Sequence, residues 1–117
     1  MYFVQKRMEI AGAHYLTLPY DSKCSNFHGH NWIVTVYCKA TQLTSYGMVI
    51  DFTHIKKCIH DRLDHQIIND VISDLNPTAE NMAKWILEEV NKNIEKTAHC
   101  YKVEVQESEG NVAVYEE

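Results

Sequence analysis

The sequence predicts an α+β fold: an antiparallel sheet with two helices on one of its faces. Three observations predict it. Apolar and polar residues alternate near both ends of the chain, the period of an extended strand. The middle steps by three and four, the period of one helix face. Strand pairs flanking a helix pair give the order β-β-α-α-β-β, which favours an antiparallel sheet with helices to one side.

The first strand is expected from Tyr2 to about Leu16. Met8 and Ile10 share a parity with His14, so an imidazole ends an apolar row. Pro19 and Asp21-Ser22 mark a loop. The second strand runs from about His28 to Thr41, where "WIVTVYCKA" is rich in β-branched and aromatic residues. His30 shares a face with Trp32, Val34 and Val36, and "TSYG" reads as a turn. From Asp51, the residues Phe52, Ile55, Ile59 and Leu63 mark one helix face, and "LDHQIIND" breaks it. Asn76-Pro77-Thr78 opens the second helix, with Thr78 as N-cap and Glu80 placed to suit the first-turn dipole. Met82, Ile86, Val90 and Ile94 form its stripe. "CYKVEVQES" puts Tyr101, Val103 and Val105 on one face, and "NVAVY" returns after the hairpin signal Gly110-Asn111. The free edges of such a sheet invite pairing between subunits.

A chain of 117 residues reads as one domain, residues 1–117, with enough length for a core. Its 45% hydrophobic and 23% charged residues belong to a globular protein. A net charge of −5 with no cation cluster argues against a nucleic-acid surface. No secretory leader is read at the start, and no apolar run approaches the ~18–20 residues of a membrane span. Cys24, Cys38, Cys58 and Cys100 form no C-x-x-C pair, which excludes a cysteine zinc knuckle and a thioredoxin motif. Reduced thiols in a cytoplasmic protein are expected. Cys38, Cys58 and Cys100 lie within strand or helix patterns and read as small buried hydrophobes.

The chemistry concentrates in "CSNFHGHNW", Cys24 to Trp32. In an extended strand His28 and His30 point to the same face, and Gly29 between them leaves room for close approach. A neighbouring antiparallel strand would bring His14 within reach as a third imidazole. Three imidazoles on an apolar face point to a metal rather than to a hydrogen-bonded core histidine. Zinc is the expected ion, since catalytic zinc keeps three protein ligands and one open position. Cys24 as a fourth ligand would instead close the site. Cys24 could also serve as a base or nucleophile, activated by adjacent Lys23 or by the cation. Asp64-His65 reads either as an orienting carboxylate and imidazole or as a polar helix end. Glu107 extends the apolar row of its strand, which suits either a strand end reaching water or an anchor for a ligand's amidine-like edge. His54, His60 and His99 have no partner pattern and read as surface.

Together these segments resemble the 6-pyruvoyltetrahydropterin synthase and 6-carboxytetrahydropterin synthase family. The resemblance rests on "AGAHYL", "CSNFHGHNW", "GMVIDFTHIKK", "LDHQIIND", "NPTAENMAKWI" and "VQES", and spans nearly the whole chain. It implies the tunnelling fold, with trimers stacked into a homohexamer and active sites at subunit interfaces. The implied ligands of one zinc per subunit are His14, His28 and His30. Cys24 is implied as the proton acceptor, His65 as its relay partner supported by Asp64, and Glu107 as the grip on the pterin ring and a member of the relay. Thr78 falls where relatives contact the pterin. Three residues separate Cys24 from His28, a spacing similar to the carboxytetrahydropterin branch of queuosine biosynthesis; pyruvoyl synthases usually carry a longer insert. The implied enzyme is a lyase that converts 7,8-dihydroneopterin triphosphate to 6-carboxy-5,6,7,8-tetrahydropterin, acetaldehyde and triphosphate. A pyruvoyl-type lyase and a zinc-stabilised pterin binder without turnover are the alternatives. Tyr15 stands where many relatives carry arginine, leaving Lys23 and a neighbouring subunit to meet the triphosphate.

Overall fold

A computed structural model describes residues 1–117. Strand β1 (Tyr2–His14) pairs antiparallel with β2 (His28–Ala40) through its full length, from Tyr2 opposite Ala40 to His14 opposite His28. A single turn of 3₁₀ helix, Lys23–Ser25, lies in the connection. The first helix, α1, covers residues 52–63 as an α turn Phe52–Ile55, a π turn Lys56–His60 and an α turn Asp61–Leu63. Asp51 caps it by accepting from the Thr53 N–H. Then come β3 (Gln66–Ile67), α2 (Ile68–Val71), α3 (Ala79–Asn93), β4 (His99–Ser108) and β5 (Asn111–Glu116). The sheet order is β3-β1-β2-β4-β5.

The long elements follow the expected order, with helices on one face. The even-numbered face of β1 and β2 packs inward: Met8 and Ile10 on one strand, Trp32, Val34, Val36 and Cys38 on the other. Ile55, Ile59 and Leu63 of α1 and Met82, Ile86 and Val90 of α3 close over them. The first expected helix residue, Phe52, is 44% exposed, because the turn that begins at Asp51 precedes the packed stretch. Ile94 falls just past α3 as its C-cap and is half-buried.

Three details differ from the sequence reading. The "LDHQIIND" segment is not merely a break. It supplies β3, which runs parallel to β1 at Gly12 and Ala13 and makes the sheet mixed, and then the short α2. β1 ends at His14 rather than Leu16, because the groups that pair with its continuation are side chains, not a strand. Tyr101 does not join the row of Val103 and Val105. Tyr37 pairs with Lys102 but Cys38 with Cys100, so Tyr101 is an extra residue in a bulge. It lies instead against Phe3 and Tyr37 on the face away from the helices. No helix is long and apolar enough to cross a membrane.

Candidate metal centre

Register builds the centre. His14 lies directly opposite His28, and His30 opposite Gly12. All three rings project from the inward face of the two strands. Their centroids stand 4.5 Å (His14–His28), 4.9 Å (His28–His30) and 5.4 Å (His14–His30) apart. Trp32 meets His14 and His30 edge-on and is itself fixed by donating its indole N–H to the Gly12 carbonyl at 3.1 Å.

The other wall comes from β4. Ser108 pairs with Asn111 while Gln106 pairs with Val112, so Glu107 is a bulged residue released from the ladder. Its Oε1 lies 3.0 Å from His30 Nε2 and 3.6 Å from His14 Nε2. One ligand atom from each of His14, His28, His30 and Glu107 falls within 4.8 Å of the others.

The tautomers follow from the hydrogen bonds. His14 Nδ1 lies 2.8 Å from the Pro77 carbonyl and His28 Nδ1 2.7 Å from the Asn26 carbonyl. A carbonyl only accepts, so each Nδ1 carries the proton and each Nε2 presents a lone pair. Burial holds the His14 imidazole below its ordinary pKa, opposed by the hydrogen bond to Pro77. His14 Nε2 and His30 Nε2 are buried without a hydrogen-bond partner, so the 3.0 Å approach of Glu107 satisfies neither. Orphaned buried nitrogens are costly. Three imidazoles and a carboxylate around one point are a donor set that zinc fits.

The remaining expected residues take other positions. Cys24 is half-buried in the 3₁₀ turn and is not one of the side chains whose ligand atoms converge, so it does not close the centre as a fourth ligand. Its N–H donates to Ser22 Oγ at 3.1 Å and its carbonyl accepts from the Leu16 N–H at 2.7 Å. Lys23 beside it is exposed. Burial pushes the Cys58 thiol up to about 11, and hydrogen bonding with Cys100 together with burial raises Cys38, so these thiols are inert packing.

Thr78 caps α3, its hydroxyl accepting from the Asn81 N–H at 3.1 Å. It follows the carbonyl that orients His14, which ties the start of α3 to the centre. Asp64 Oδ1 accepts from the Ala11 N–H at 2.9 Å, and the His65 N–H donates to the Ala11 carbonyl at 2.7 Å. The pair therefore continues the edge of β1. His65 adopts φ 58°, the left-handed region, and its side chain is 82% exposed with Nε2 3.6 Å from Asp64 Oδ2. His60, read from sequence as a surface residue without a partner, is half-buried: Nδ1 lies 3.2 Å from Asp61 and Nε2 3.7 Å from Asp64 Oδ2. Spacing of four on a helix was the available signal. His54 and His99 are exposed.

Two open clefts flank the centre. One of about 480 Å³ is lined by His30, Gly29, Asn31, His65 and Gln66. The other, about 470 Å³, is lined by Glu107, Asn111 and Val112 with Ala79 and Glu80 at the start of α3. Glu107 thus stands between the imidazoles and a cleft at a helix N-terminus.

Comparison with known proteins agrees with this frame. The family described as 6-pyruvoyl tetrahydropterin synthase matches residues 3–117. The chain is 30% identical to the 6-carboxy-5,6,7,8-tetrahydropterin synthase of Bacillus subtilis, over 96% of this chain and 83% of that one. It is 28% identical to the 6-pyruvoyl tetrahydrobiopterin synthase of Drosophila melanogaster, over 97% and 78% respectively. The structure of 6-pyruvoyl tetrahydropterin synthase from Caenorhabditis elegans superposes with a TM-score of 0.78 at 24% identity, covering 99% of this chain and 95% of that one.

Proposed function

This chain belongs to the 6-pyruvoyl tetrahydropterin synthase family and has its tunnelling fold, and from that premise we propose that it is a zinc-dependent lyase acting on 7,8-dihydroneopterin triphosphate. The product is 6-carboxy-5,6,7,8-tetrahydropterin, with release of acetaldehyde and triphosphate, as a step toward queuosine. The observation that carries the reading is the convergence of the three imidazoles and Glu107, with the half-buried Cys24 thiol left outside that group. The carboxy product is favoured over the pyruvoyl one by the short Cys24–His28 spacing and by the name of the Bacillus relative.

His14, His28 and His30 would hold the zinc, which supplies Lewis acidity toward the hydroxyls of the substrate side chain. Glu107 accepts two N–H bonds from the aminopyrimidinone edge of the ring and fixes its orientation. Its carboxylate stands 3.0 Å from His30 Nε2 and also lines the cleft at the start of α3. Thr78, the N-cap next to the cleft residue Ala79, contributes its hydroxyl proton. Cys24 Sγ takes a proton from a side-chain carbon, and His65, steadied by Asp64, exchanges the second proton. The exposure of His65 suits a site completed by another copy of the chain, as does Lys23 waiting for the triphosphate. The reading therefore includes a homo-oligomer, a hexamer of stacked trimers, built from the single domain of residues 1–117. Its four free thiols suit the cytoplasm.

Incubating zinc-loaded protein with 7,8-dihydroneopterin triphosphate tests the reading. Triphosphate release that disappears in Cys24→Ala, while zinc remains bound, supports a lyase. Absence of release from the wild-type protein contradicts it and leaves a pterin binder.

A further inference from the structure

The edge of β1 away from β2 continues beyond the last residue of the strand. In an extended chain, alternate residues turn both N–H and C=O to the same side. Here those residues are Ala11, Ala13, Tyr15 and Thr17. Ala11 is paired by Asp64 and His65, and Ala13 by β3. At Tyr15 and Thr17 no strand is present, and two amide side chains take its place. Asn69 Oδ1 accepts from the Tyr15 N–H at 3.0 Å while Asn69 Nδ2 donates to the Tyr15 carbonyl at 2.9 Å. Asn76 does the same for Thr17, at 2.8 Å and 3.1 Å.

Between them, Leu16 faces the opposite way, and its N–H donates to the Cys24 carbonyl at 2.7 Å. The Tyr15 ring packs on Phe27 with centroids 4.7 Å apart, which holds the other end of the same loop. Asn76 is itself fixed, since its carbonyl accepts from Asn81 Nδ2 at 2.9 Å on α3. A continuous path of hydrogen bonds therefore runs from α2 and α3 through three backbone units to Cys24. The turn's other anchor is on β2, where His28 Nδ1 donates to the carbonyl of its C-cap Asn26 at 2.7 Å; its remaining hydrogen bonds are local, to Ser22 and within the turn.

We infer that Asn69 and Asn76 are positioning residues for the Cys24 thiol, acting as a two-amide clamp on Tyr15 and Thr17. The inference rests on the proposed role of Cys24 in proton transfer. A primary amide matches the spacing of a peptide N–H and C=O, which is why asparagine serves and alanine or leucine would not. Without the clamp, residues 15–17 lose four hydrogen bonds and the turn drifts. A displacement of about 1 Å at a reacting group lowers rate by up to about 100-fold without weakening substrate binding.

The test uses zinc-loaded Asn69→Ala, Asn76→Ala and the double variant, with Cys24→Ala as the blank. Three quantities are read: kcat and KM for 7,8-dihydroneopterin triphosphate, bound zinc, and the rate of Cys24 alkylation by iodoacetamide, followed by intact mass. Cys38, Cys58 and Cys100 are buried, so the fast-reacting thiol is Cys24. The expected result for the double variant is a kcat lower by about 10- to 100-fold, KM within about threefold, unchanged zinc, and an altered alkylation rate. Asn76→Asp keeps the acceptor for the Thr17 N–H and loses the donor to its carbonyl. It should fall between wild type and alanine, and it carries the test where the double variant does not fold. Wild-type kcat and alkylation rate in the clamp variants overturn the inference, as does a loss of kcat that merely tracks lost zinc. Wild-type turnover by Cys24→Ala would instead overturn the role of Cys24, and the alkylation rate would then decide the clamp alone.

Discussion

His14 Nδ1 lies 2.8 Å from the carbonyl oxygen of Pro77, 63 positions later in the chain. That contact joins the end of β1 to the start of α3 and leaves Nε2 free to face His28, His30 and Glu107. It also separates two roles of one side chain. One nitrogen holds the fold, and the other faces the group that could hold a metal ion.

His14→Asn exploits the separation. The asparagine Nδ2 occupies nearly the place of the imidazole Nδ1 and can still donate to Pro77, but it offers no Nε2. The variant is expected to fold and to bind zinc more weakly by about 100-fold or more, beyond the 10- to 100-fold typical of losing an outer partner. Competition with a chromophoric chelator measures this. Wild-type affinity would remove His14 from the ligand set.

Glu107→Gln tests the residue between the imidazoles and the cleft. Three imidazoles remain for the ion, so bound zinc should stay near one per chain. Glutamine cannot accept both N–H bonds of the ring edge, and KM should rise about 10-fold or more, in keeping with about 1.5–3 kcal/mol for a charged hydrogen bond. Loss of zinc with unchanged KM would make Glu107 a ligand and not an anchor.

The pH dependence has a definite sign. Burial first, against the opposing Pro77 bond, lowers the His14 pKa below 6.5 in the fold. The fold therefore favours neutral imidazole. This contribution to stability is complete above the unfolded value of 6.5 and is lost as pH falls through the lower folded value. NMR titration of the metal-free protein should give a His14 midpoint below 6.5, and thermal unfolding should move to lower temperature on acidification through that range. A midpoint above 6.5 would contradict the burial argument.

Gly12→Ala addresses the packing behind the centre. A Cβ there would stand 3.1 Å from Ile68 Cδ1 and 3.2 Å from its Cγ1. Ile68 is fully buried and has little room to yield. A destabilisation of about 1–3 kcal/mol is expected from denaturant unfolding, the range for overpacking a filled core. An unchanged midpoint would show that Ile68 can shift freely.

The strands, the helices and the imidazole triad were legible because periodicity records which side chains face inward. His14 was reachable from parity alone, since Met8 and Ile10 mark its face. What sequence could not carry was local geometry. Bulges at Tyr101 and Glu107 depend on the pairing partner, and the Tyr101 bulge reversed the expected face of that residue. β3 is two residues long and too short to show a period. The carbonyls of Pro77 and Asn26 leave no trace in side-chain identity. The amide pairs of Asn69 and Asn76 mimic a strand with residues that read as a loop.

In the proposed reaction this centre makes a carboxylated pterin. Mass spectrometry of the products formed by zinc-loaded protein from 7,8-dihydroneopterin triphosphate tests it most directly. The expected result is the mass of 6-carboxy-5,6,7,8-tetrahydropterin together with trapped acetaldehyde. A 6-pyruvoyl product without acetaldehyde would contradict it and assign the chain to the sister reaction.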